Sequence, residues 1–575
     1  MAMTITAAMI TEPLIVGEWL HPALLLMLGA LPLAVLQGRS RQLWQLILPL
    51  LVLGAVVALP AGLTVRLELA GLELVPLRVD KLSLAFAYVF ALIIFIGNMF
   101  ALQVNDGAQH VAAAFYAASG LGAVFAGDLI TLYVFWEIMM IASVWLIWRR
   151  RRQAAYEAGF RYLIIHALGG MLLLAGIIAY WLHTGSLAFE ALDGGGPAFY
   201  LILVAFLINA AAPPLHAWLP DAYPEATVTG TVFLSAFTTK TAVYVLARGF
   251  PGTELLVWLG VFMTLYGVIY AFLVNDIRRL LSYHIISQVG YMVAGVGLGS
   301  ALAISGTTAH AFTHILYKAL LLMGAGAVLQ MTGRSRLTEL GGLYRTMPLT
   351  FLLYMVGGLS ISAFPLFSGF VSKTMIIEAA AVEGRGVIFL LMTLAGVGTF
   401  MSTTLKLPWY TFMGRDSGLR PPEAPLNMRI AMGIAALLCF VIGIAPGWLY
   451  AILPYPVEYE AYTAGHLIKE MQLLLFTGLG FFLLVGVLGG KDKISLDLDW
   501  FYRVPGKRAL DRLGAGIRAV DAAARQAFMV RFQALEDWAT HLRLSGWPLR
   551  SWPTGSMALW TAVVLALLLV FGLGR

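Results

Sequence analysis

Titratable side chains stand inside stretches that are otherwise apolar, and their types fit proton transfer. Glu137 lies midway along Leu132-Tyr133-Val134-Phe135-Trp136-Glu137-Ile138-Met139-Met140. Lys240 lies in Ser235-Ala236-Phe237-Thr238-Thr239-Lys240-Thr241-Ala242-Val243-Tyr244, and Lys373 follows Gly369-Phe370-Val371-Ser372. His310, His314 and Lys318 recur at steps of four, which sets them along one broad helix face. An ionisable group at the centre of a bilayer costs about 2.5–3.5 kcal/mol or more, so each is a functional candidate by default. The chemistry they suit is a relay. Burial loosens a lysine's proton, a nearby carboxylate retains it, and moving or protonating that carboxylate releases it. The bland alternatives are a structural ion pair for Glu137, snorkelling of Lys240 or Lys373 to an interface, and a hydrogen-bond ladder for the His310, His314, Lys318 stripe. His166 and His284 stand alone in their stretches, where a core histidine and a relay member read equally well.

The elements that hold these groups must be membrane helices. Of the 575 residues, 60% are hydrophobic and 12% charged, against about 25% charged and 45–50% apolar in a soluble domain. The mean hydropathy is +0.85. That excludes a soluble enzyme, a nucleic-acid binder and a disordered scaffold. At ~20 apolar residues per crossing the chain can supply about 16 spans. They are expected near 20–37, 42–62, 82–103, 109–127, 128–148, 160–183, 199–219, 227–248, 253–274, 282–299, 301–330, 348–380, 386–407, 429–450, 470–489 and 556–573. The stretches at 301–330 and 348–380 exceed a simple crossing, and each is expected to bend or break. Pro213-Pro214 interrupts span 7, and Pro365 precedes Ser368-Gly369 in span 12. Proline removes a backbone donor and kinks a helix, and freed carbonyls at membrane depth are tolerated where they line a hydrated cavity. Paired broken helices in corresponding positions mark internal-repeat transporters. The expected fold is therefore an all-α polytopic membrane protein with two inverted five-helix repeats, spans 4–8 and 9–13, broken at helices 7 and 12. Its expected parts are N-terminal transmembrane helices over 1–108, the repeats over 109–248 and 249–410, and C-terminal transmembrane helices over 411–490. An amphipathic lateral helix segment over 491–555 and a final transmembrane helix over 556–575 complete it.

The net charge of +7 sits in short loops. Arg39 and Arg41, Arg149–Arg152, Arg278-Arg279, Arg334 with Arg336 and Arg345, Arg415 with Arg420 and Arg429, and the basic residues from Lys491 to Arg508 all follow odd-numbered spans. By the positive-inside rule these loops are cytoplasmic and both termini of a chain with 16 spans lie outside. Met1–Glu18 has no basic n-region and does not read as a cleavable signal. The single cysteine, Cys439, excludes a disulfide framework and a cysteine-based metal site. Leu510, Leu513, Ile517, Val520, Ala524, Phe528, Phe532 and Leu535 recur at three or four residues. That helix, from about Arg508 to Arg543, either lies on the membrane surface or braces this or a neighbouring subunit. The glycine-rich run Gly295–Gly299 lacks the strand–helix setting of a nucleotide loop and suits close helix packing. There is no Walker A motif, cysteine–histidine cluster, haem attachment motif or nucleophile triad, so no redox cofactor and no metal are expected.

The longer motifs point further. Pro214-Leu215-His216-Ala217-Trp218-Leu219-Pro220-Asp221-Ala222-Tyr223, Lys240-Thr241-Ala242-Val243-Tyr244, His314-Ile315-Leu316-Tyr317-Lys318-Ala319-Leu320-Leu321 and Gly369-Phe370-Val371-Ser372-Lys373 resemble the antiporter-like membrane subunits. That family includes the D subunit of Mrp cation/proton antiporters and the proton-pumping membrane subunits of respiratory complex I and membrane-bound hydrogenases. The resemblance covers roughly residues 65–450, with the D type nearest. It implies proton translocation along a central hydrophilic axis with a half-channel to each side. Glu137 then matches the family's span 5 glutamate, Lys240 the span 8 lysine, His314 and Lys318 the span 11 pair, and Lys373 the lysine of broken span 12. His310 extends the relay set. Asn209, Pro213, Pro214, His216, His284, Pro365 and His166 are helix-break and relay candidates.

Two departures stand out. Seven residues before the histidine of the Pro-x-His-x-Trp motif the family usually has a lysine, paired with the span 5 glutamate; here it is Asn209. Asparagine carries no proton charge. Either Glu137 pairs with Lys240, or the first repeat does not pump in the usual way. Where the family often has Ala-Pro-Thr-Pro before span 8, this chain has Ala226-Thr227-Val228-Thr229, which leaves that loop's conformation open. The C-terminal part is similar in layout alone to the distal membrane component of complex I. The resemblance implies a proton-translocating subunit of a multi-subunit complex in the bacterial cytoplasmic membrane. Its partners would be other membrane subunits and the lipid bilayer, its cargo protons, exchanged in one reading for sodium or another monovalent cation. The alternatives are a pumping subunit driven by a redox or hydrogenase module and a non-pumping structural subunit.

Overall fold

Helices joined by short turns occupy most of the chain, and the computed structural model describes residues 15–16, 19–192, 195–489, 496–544 and 553–572. They fall into two units, Met1–Ser495 and Leu496–Arg575.

The Ala301–Thr332 helix is the pillar of the first unit. It is continuous over 32 residues, N-capped by Ser300 and ended by Gly333 at φ 69, and is about 48 Å long at 1.5 Å per residue. The expected bend or break is absent as a break: the segment contains no proline and its helix runs uninterrupted. Every residue from Ala303 to Val328 is buried. The Lys81–Phe100, Val228–Ala236, Ile277–Leu298, Pro348–Ile361, Ser368–Val382 and Leu426–Ile444 helices pack around it. A helix that carries polar groups on several faces tolerates membrane depth only when protein covers those faces.

Spans 7 and 12 are broken as expected. Helix Pro197–Asn209 stops at Asn209 and the backbone next turns helical at Trp218–Ala222. Helix Pro348–Ile361 stops before Ser368–Val382 begins. The two breaks share a backbone pattern. Ala211 (φ 57) and Ala363 (φ 56) each take a left-handed conformation two residues before a proline. The next N–H reaches back five residues in both: Ala212 to the Leu207 carbonyl at 3.0 Å, and Phe364 to that of Leu359 at 3.1 Å. A non-glycine residue held there costs of order 1–3 kcal/mol and persists only where its surroundings fix it. Trp218 Nε1 donates to the freed Ile208 carbonyl at 3.0 Å in the first break. In the second, Gly369 and Gly443 pack directly on the backbone carbonyls of Ser360 and Leu366.

Three features were not expected. Span 8 is split at Phe237 into Val228–Ala236 and Thr238–Gly249. The cause is Tyr116, whose hydroxyl accepts the Thr238 N–H at 2.9 Å and lies 2.6 Å from Thr238 Oγ1. Span 13 passes through a π-helical turn, Phe400–Lys406, between Gly386–Thr399 and Leu407–Phe412, and Pro408 at its end offers no N–H. Between spans 2 and 3, where no element was expected, Thr64–Leu69 and Leu72–Arg78 form an antiparallel hairpin. Its two-residue turn, Ala70-Gly71, has both φ positive (52 and 76), as a primed turn requires. The open question at 226–229 is also answered. Thr227 N-caps the following helix through the Gly230 N–H at 3.0 Å. The buried Arg278 guanidinium donates to the carbonyls of Pro224 (2.7 Å), Tyr223 (3.1 Å) and Ala226 (3.0 Å) and to the Thr231 hydroxyl.

Among the described residues, 10 helices are long and apolar enough to cross a membrane; the expected count of about 16 also includes shorter and broken segments. In the second unit, Lys507–Leu544 is one helix of 38 residues, about 57 Å long, whose Leu510, Leu513, Ile517, Val520, Phe528, Phe532 and Leu535 are exposed. Helix Thr554–Gly572 follows. Lys491 and Lys493, and most of Met1–Glu18, lie outside the described residues.

A Cβ at Gly369 would fall 1.8 Å from the Ser360 carbonyl oxygen, whereas one at Gly433 meets open space. Gly369→Ala is expected to lower the thermal unfolding midpoint, at a cost of about 1–3 kcal/mol. Gly433→Ala should leave the midpoint unchanged or raise it, a gain in stability of up to ~1 kcal/mol. Equal midpoints for the two variants would show that the second break is not clamped.

Candidate functional site

The pillar carries the site. His310, His314 and Lys318 are fully buried along it. His310 Nδ1 lies 3.4 Å from Ser372 Oγ, which shares a 2.7 Å bond with the Thr313 hydroxyl. Tyr317 OH lies 3.4 Å from both His310 Nε2 and Gln288 Oε1. The His310 and His314 rings are 6.1 Å apart, and Tyr291 is 6.2 Å from His310. Lys373 Nζ sits 4.6 Å from the Tyr291 ring centroid. Lys373, Tyr291, His310, His314 and Lys318 thus form one ladder, with Tyr291 steadied by its hydroxyl on the Met392 carbonyl at 2.7 Å. Both ring nitrogens of His314 and the Nζ atoms of Lys318 and Lys373 have no hydrogen-bond partner among the described residues. A buried polar group left unpaired costs about 1–3 kcal/mol, more when charged.

Lys240 joins this ladder from the broken span 8. Its Nζ donates to the Ser235 carbonyl at 2.6 Å, which the break frees, and to Thr239 Oγ1 at 3.0 Å. It is 0% exposed, and Lys373 is 1% exposed, so neither lysine snorkels to an interface. The charge of Lys240 falls on His310, His314 and Lys318. His284 belongs to the same half: its Nε2 is 2.8 Å from Ser402 Oγ, and it feels the charges of Lys318, Lys373 and Lys406.

The other candidates are arranged differently. Glu137 is half-buried on Leu129–Trp148, beside the exposed Val134, Ile141 and Trp145. Its Oε1 has no hydrogen-bond partner among the described residues and rests against Gly170, where a Cβ would come within 2.0 Å. Glu137 makes no ion pair with Lys240, whose bonds go to Ser235 and Thr239. Asn209 is buried, and its Oδ1 accepts from His166 Nδ1 at 2.8 Å. The His166 ring also lies 4.1 Å from Tyr162 and 4.5 Å from Trp218. His216 is buried with its ring 4.8 Å from Tyr266. Pro213 and Pro214 lie in the first break and Pro365 in the second.

Sequence reasoning missed Lys406, Tyr291, Gln288 and Glu470. Lys406 is buried at the end of the π-helical turn, with Nζ 2.5 Å from the Phe272 carbonyl. The rule that singles out Lys240, a lysine inside an apolar run, applies equally to Lys406 in Met401–Tyr410. Glu470 is hidden at the expected edge of span 15; the helix in fact starts at Ala464, which carries Glu470 inward.

Residues 126–402 match the family described as NADH:quinone oxidoreductase/Mrp antiporter, TM. The probable A/B component of a K(+)/H(+) antiporter of Rhizobium meliloti is 33% identical over 64% of this chain and 40% of its own length. An uncharacterized protein of Methanocaldococcus jannaschii is 31% identical over 57% of this chain and 73% of its own. The D component of a Na(+)/H(+) antiporter of Alkalihalophilus pseudofirmus is 33% identical over 52% of this chain and 65% of its own. The chain therefore spans less than two thirds of the first and third of these relatives. Its fold is similar to that of a chain in the Mrp complex from Dietzia sp. DQ12-45-1b, with TM-score 0.67, 23% identity and coverage of 79% of this chain and 99% of that one. It is also similar to a chain of the membrane-bound sulfane sulfur reductase, an archaeal respiratory membrane complex, with TM-score 0.70, 24% identity and coverage of 96% and 99%. This chain belongs to the NADH:quinone oxidoreductase/Mrp antiporter family of multi-pass membrane proteins.

The His166–Asn209 bond generates a prediction. His166→Ala and Asn209→Ala are each expected to lower the unfolding midpoint, and a double-mutant cycle should show a coupling of about 0.5–3 kcal/mol. Additive losses would show that the two side chains do not act as a pair.

Proposed function

We propose that this member of the family is a proton-translocating subunit, of the Mrp D type, in a multi-subunit complex of the bacterial cytoplasmic membrane. The observation that supports it is the ladder: His314, Lys318 and Lys373 buried without hydrogen-bond partners among the described residues, in line with His310 and within electrostatic reach of Lys240. Groups so placed accept and release protons only with water between them, and each charge change is felt by its neighbours. The proposed path runs through Lys240, the His310–His314–Lys318 stripe and Lys373, with sodium or another monovalent cation as the exchanged ion. The shared backbone pattern of the two breaks supports two inverted five-helix repeats over 109–248 and 249–410, with both termini outside by the charge of the loops.

The first half reads differently. His166 donates to Asn209 through Nδ1, its Nε2 has no hydrogen-bond partner among the described residues, and Glu137 is not joined to Lys240. On this reading the first half-channel does not carry the usual glutamate–lysine switch, and the second half moves the proton. The half-buried Glu137 sits on a face that is otherwise apolar and exposed. A carboxylate there is expensive against lipid, which supports a further membrane protein of the complex covering it. A second reading, a pumping subunit driven by a redox module, draws support from the greater share of this chain covered by the sulfane sulfur reductase fold.

The test is proton and sodium flux in vesicles that hold the intact complex. Lys373→Ala should lose flux by on the order of 10²-fold, the scale of a lost proton-transfer group, with the complex still assembled. Glu137→Gln should retain it. Loss in both variants would restore the first half to the path, and unchanged flux in both would leave a scaffold.

A further inference from the structure

Lys373 borders more than the ladder. A cavity of about 20 Å³ lies against it, lined also by Ser362, Thr374, Thr393 and Glu470, with room for about one water. Lys373 is buried in the wall of this space, and its Nζ has no hydrogen-bond partner among the described residues. Opposite it is Glu470, on Ala464–Leu484, a helix outside both proposed repeats. The Glu470 side chain is 12% exposed, and its Oε1 is 3.8 Å from His466 Nε2 and 3.7 Å from Lys469 Nζ. Its charge falls on Lys373.

His466 is held in one orientation. Its ring stacks on Phe370 at 4.7 Å, and its Nδ1 is 2.8 Å from the Ala461 carbonyl oxygen. A carbonyl only accepts, so Nδ1 carries the hydrogen, and Nε2 presents a lone pair towards Glu470 when the ring is neutral. Beyond His466 opens a vestibule of about 780 Å³, whose lining includes Glu378, Glu458, Tyr459, Glu460, His466 and Lys469. Three carboxylates against one ammonium make a field that gathers cations. The Tyr459 hydroxyl lies 2.8 Å from Thr374 Oγ1, so the vestibule wall is tied to the residue beside Lys373.

We propose that this acidic vestibule collects protons from water and that His466 and Glu470 carry them between it and Lys373. The inference rests on the reading of Lys373 as a proton carrier. A proton bound at His466 Nε2 passes to the Glu470 carboxylate, the N–H bond breaking as the O–H bond forms. Glu470 then protonates the water in the small cavity, which gives one of its protons to neutral Lys373 Nζ and is left as water. The reverse sequence discharges Lys373 to the vestibule. No electron moves and no other reactant is needed.

Two measurements on the assembled complex test this. In vesicles, Glu470→Gln should slow proton flux by on the order of 10²-fold, and Glu470→Asp should recover part of it. Wild-type flux in Glu470→Gln beside lost flux in Lys373→Ala would overturn this inference and leave the reading of Lys373 standing. Wild-type flux in Lys373→Ala would remove that reading itself. The second measurement does not depend on transport. The only native cysteine, Cys439, is buried, so Thr374→Cys provides a reporter between the vestibule and the cavity. A small cationic thiol reagent should modify it about tenfold faster than an anionic one of equal size. That bias should shrink when Glu458→Gln and Glu460→Gln are added. Absence of modification, or equal rates for the two reagents, would overturn the vestibule as a route. If Glu470→Gln fails to assemble, the labelling ratio decides alone.

Discussion

An ionisable side chain at membrane depth costs about 2.5–3.5 kcal/mol or more, and this chain places His310, His314 and Lys318 on one helix, with Lys240 and Lys373 buried on helices that pack against it. Lipid cannot solvate such a set, so protein and water must. The Ala301–Thr332 helix is therefore central, buried from Ala303 to Val328, and the helices around it serve as its shield. Its uninterrupted hydrogen bonding fits that place. A break would add freed carbonyls to an axis already rich in polar groups. The breaks fall instead on neighbouring spans, and two of the freed carbonyls there have side-chain donors: Lys240 for Ser235 and Trp218 for Ile208.

The two proline breaks show how backbone strain is held. Ala211 and Ala363 adopt the same left-handed turn with the same reach-back of the following N–H, although their side-chain surroundings differ. The first is sealed by Trp218 and by the Asn209–His166 pair. The second is pressed between glycines that leave no space for a Cβ, and it sets the start of the helix that carries Lys373. The same backbone device thus ends in a histidine–asparagine hydrogen bond in one case and in a buried lysine in the other. That difference lives in side chains, at Asn209 above all, and not in the fold.

Much of this was legible in the sequence, for physical reasons. Apolar runs of membrane length have few alternatives to helix, and a lysine or histidine inside one must turn inward, so Lys240, Lys373 and the His310 stripe were readable by type and spacing. The proline breaks followed from the missing N–H. The break at Phe237 did not, because its cause is Tyr116, far away in sequence. The hairpin at 64–78 has alternating residues that a search for helical period passes over. Lys406 was readable by the same rule as Lys240. Glu470 was not, since its significance comes from a cavity formed by three separate helices.

The buried axis is short of negative charge. Among the described residues, Asp128 is the wholly buried carboxylate, and it is tied to Thr131 and the Val75 N–H, as a helix cap away from the ladder. The glutamate of the first half, Glu137, is half-buried with its Oε1 against Gly170 and without a hydrogen-bond partner among the described residues. Lys240, Lys318 and Lys373 act on His284, His310 and His314 by repulsion, so a proton gained at one site makes a proton at its neighbour less favourable. Such sites fill and empty as a coupled set. On the proposed reading that coupling replaces the glutamate–lysine switch lost at Asn209. A proton added near Lys240 pushes through His310 and His314, and relief comes at Lys373. Glu470, the carboxylate that shares the Lys373 cavity, is then the place where positive charge driven along the axis first meets an opposite charge.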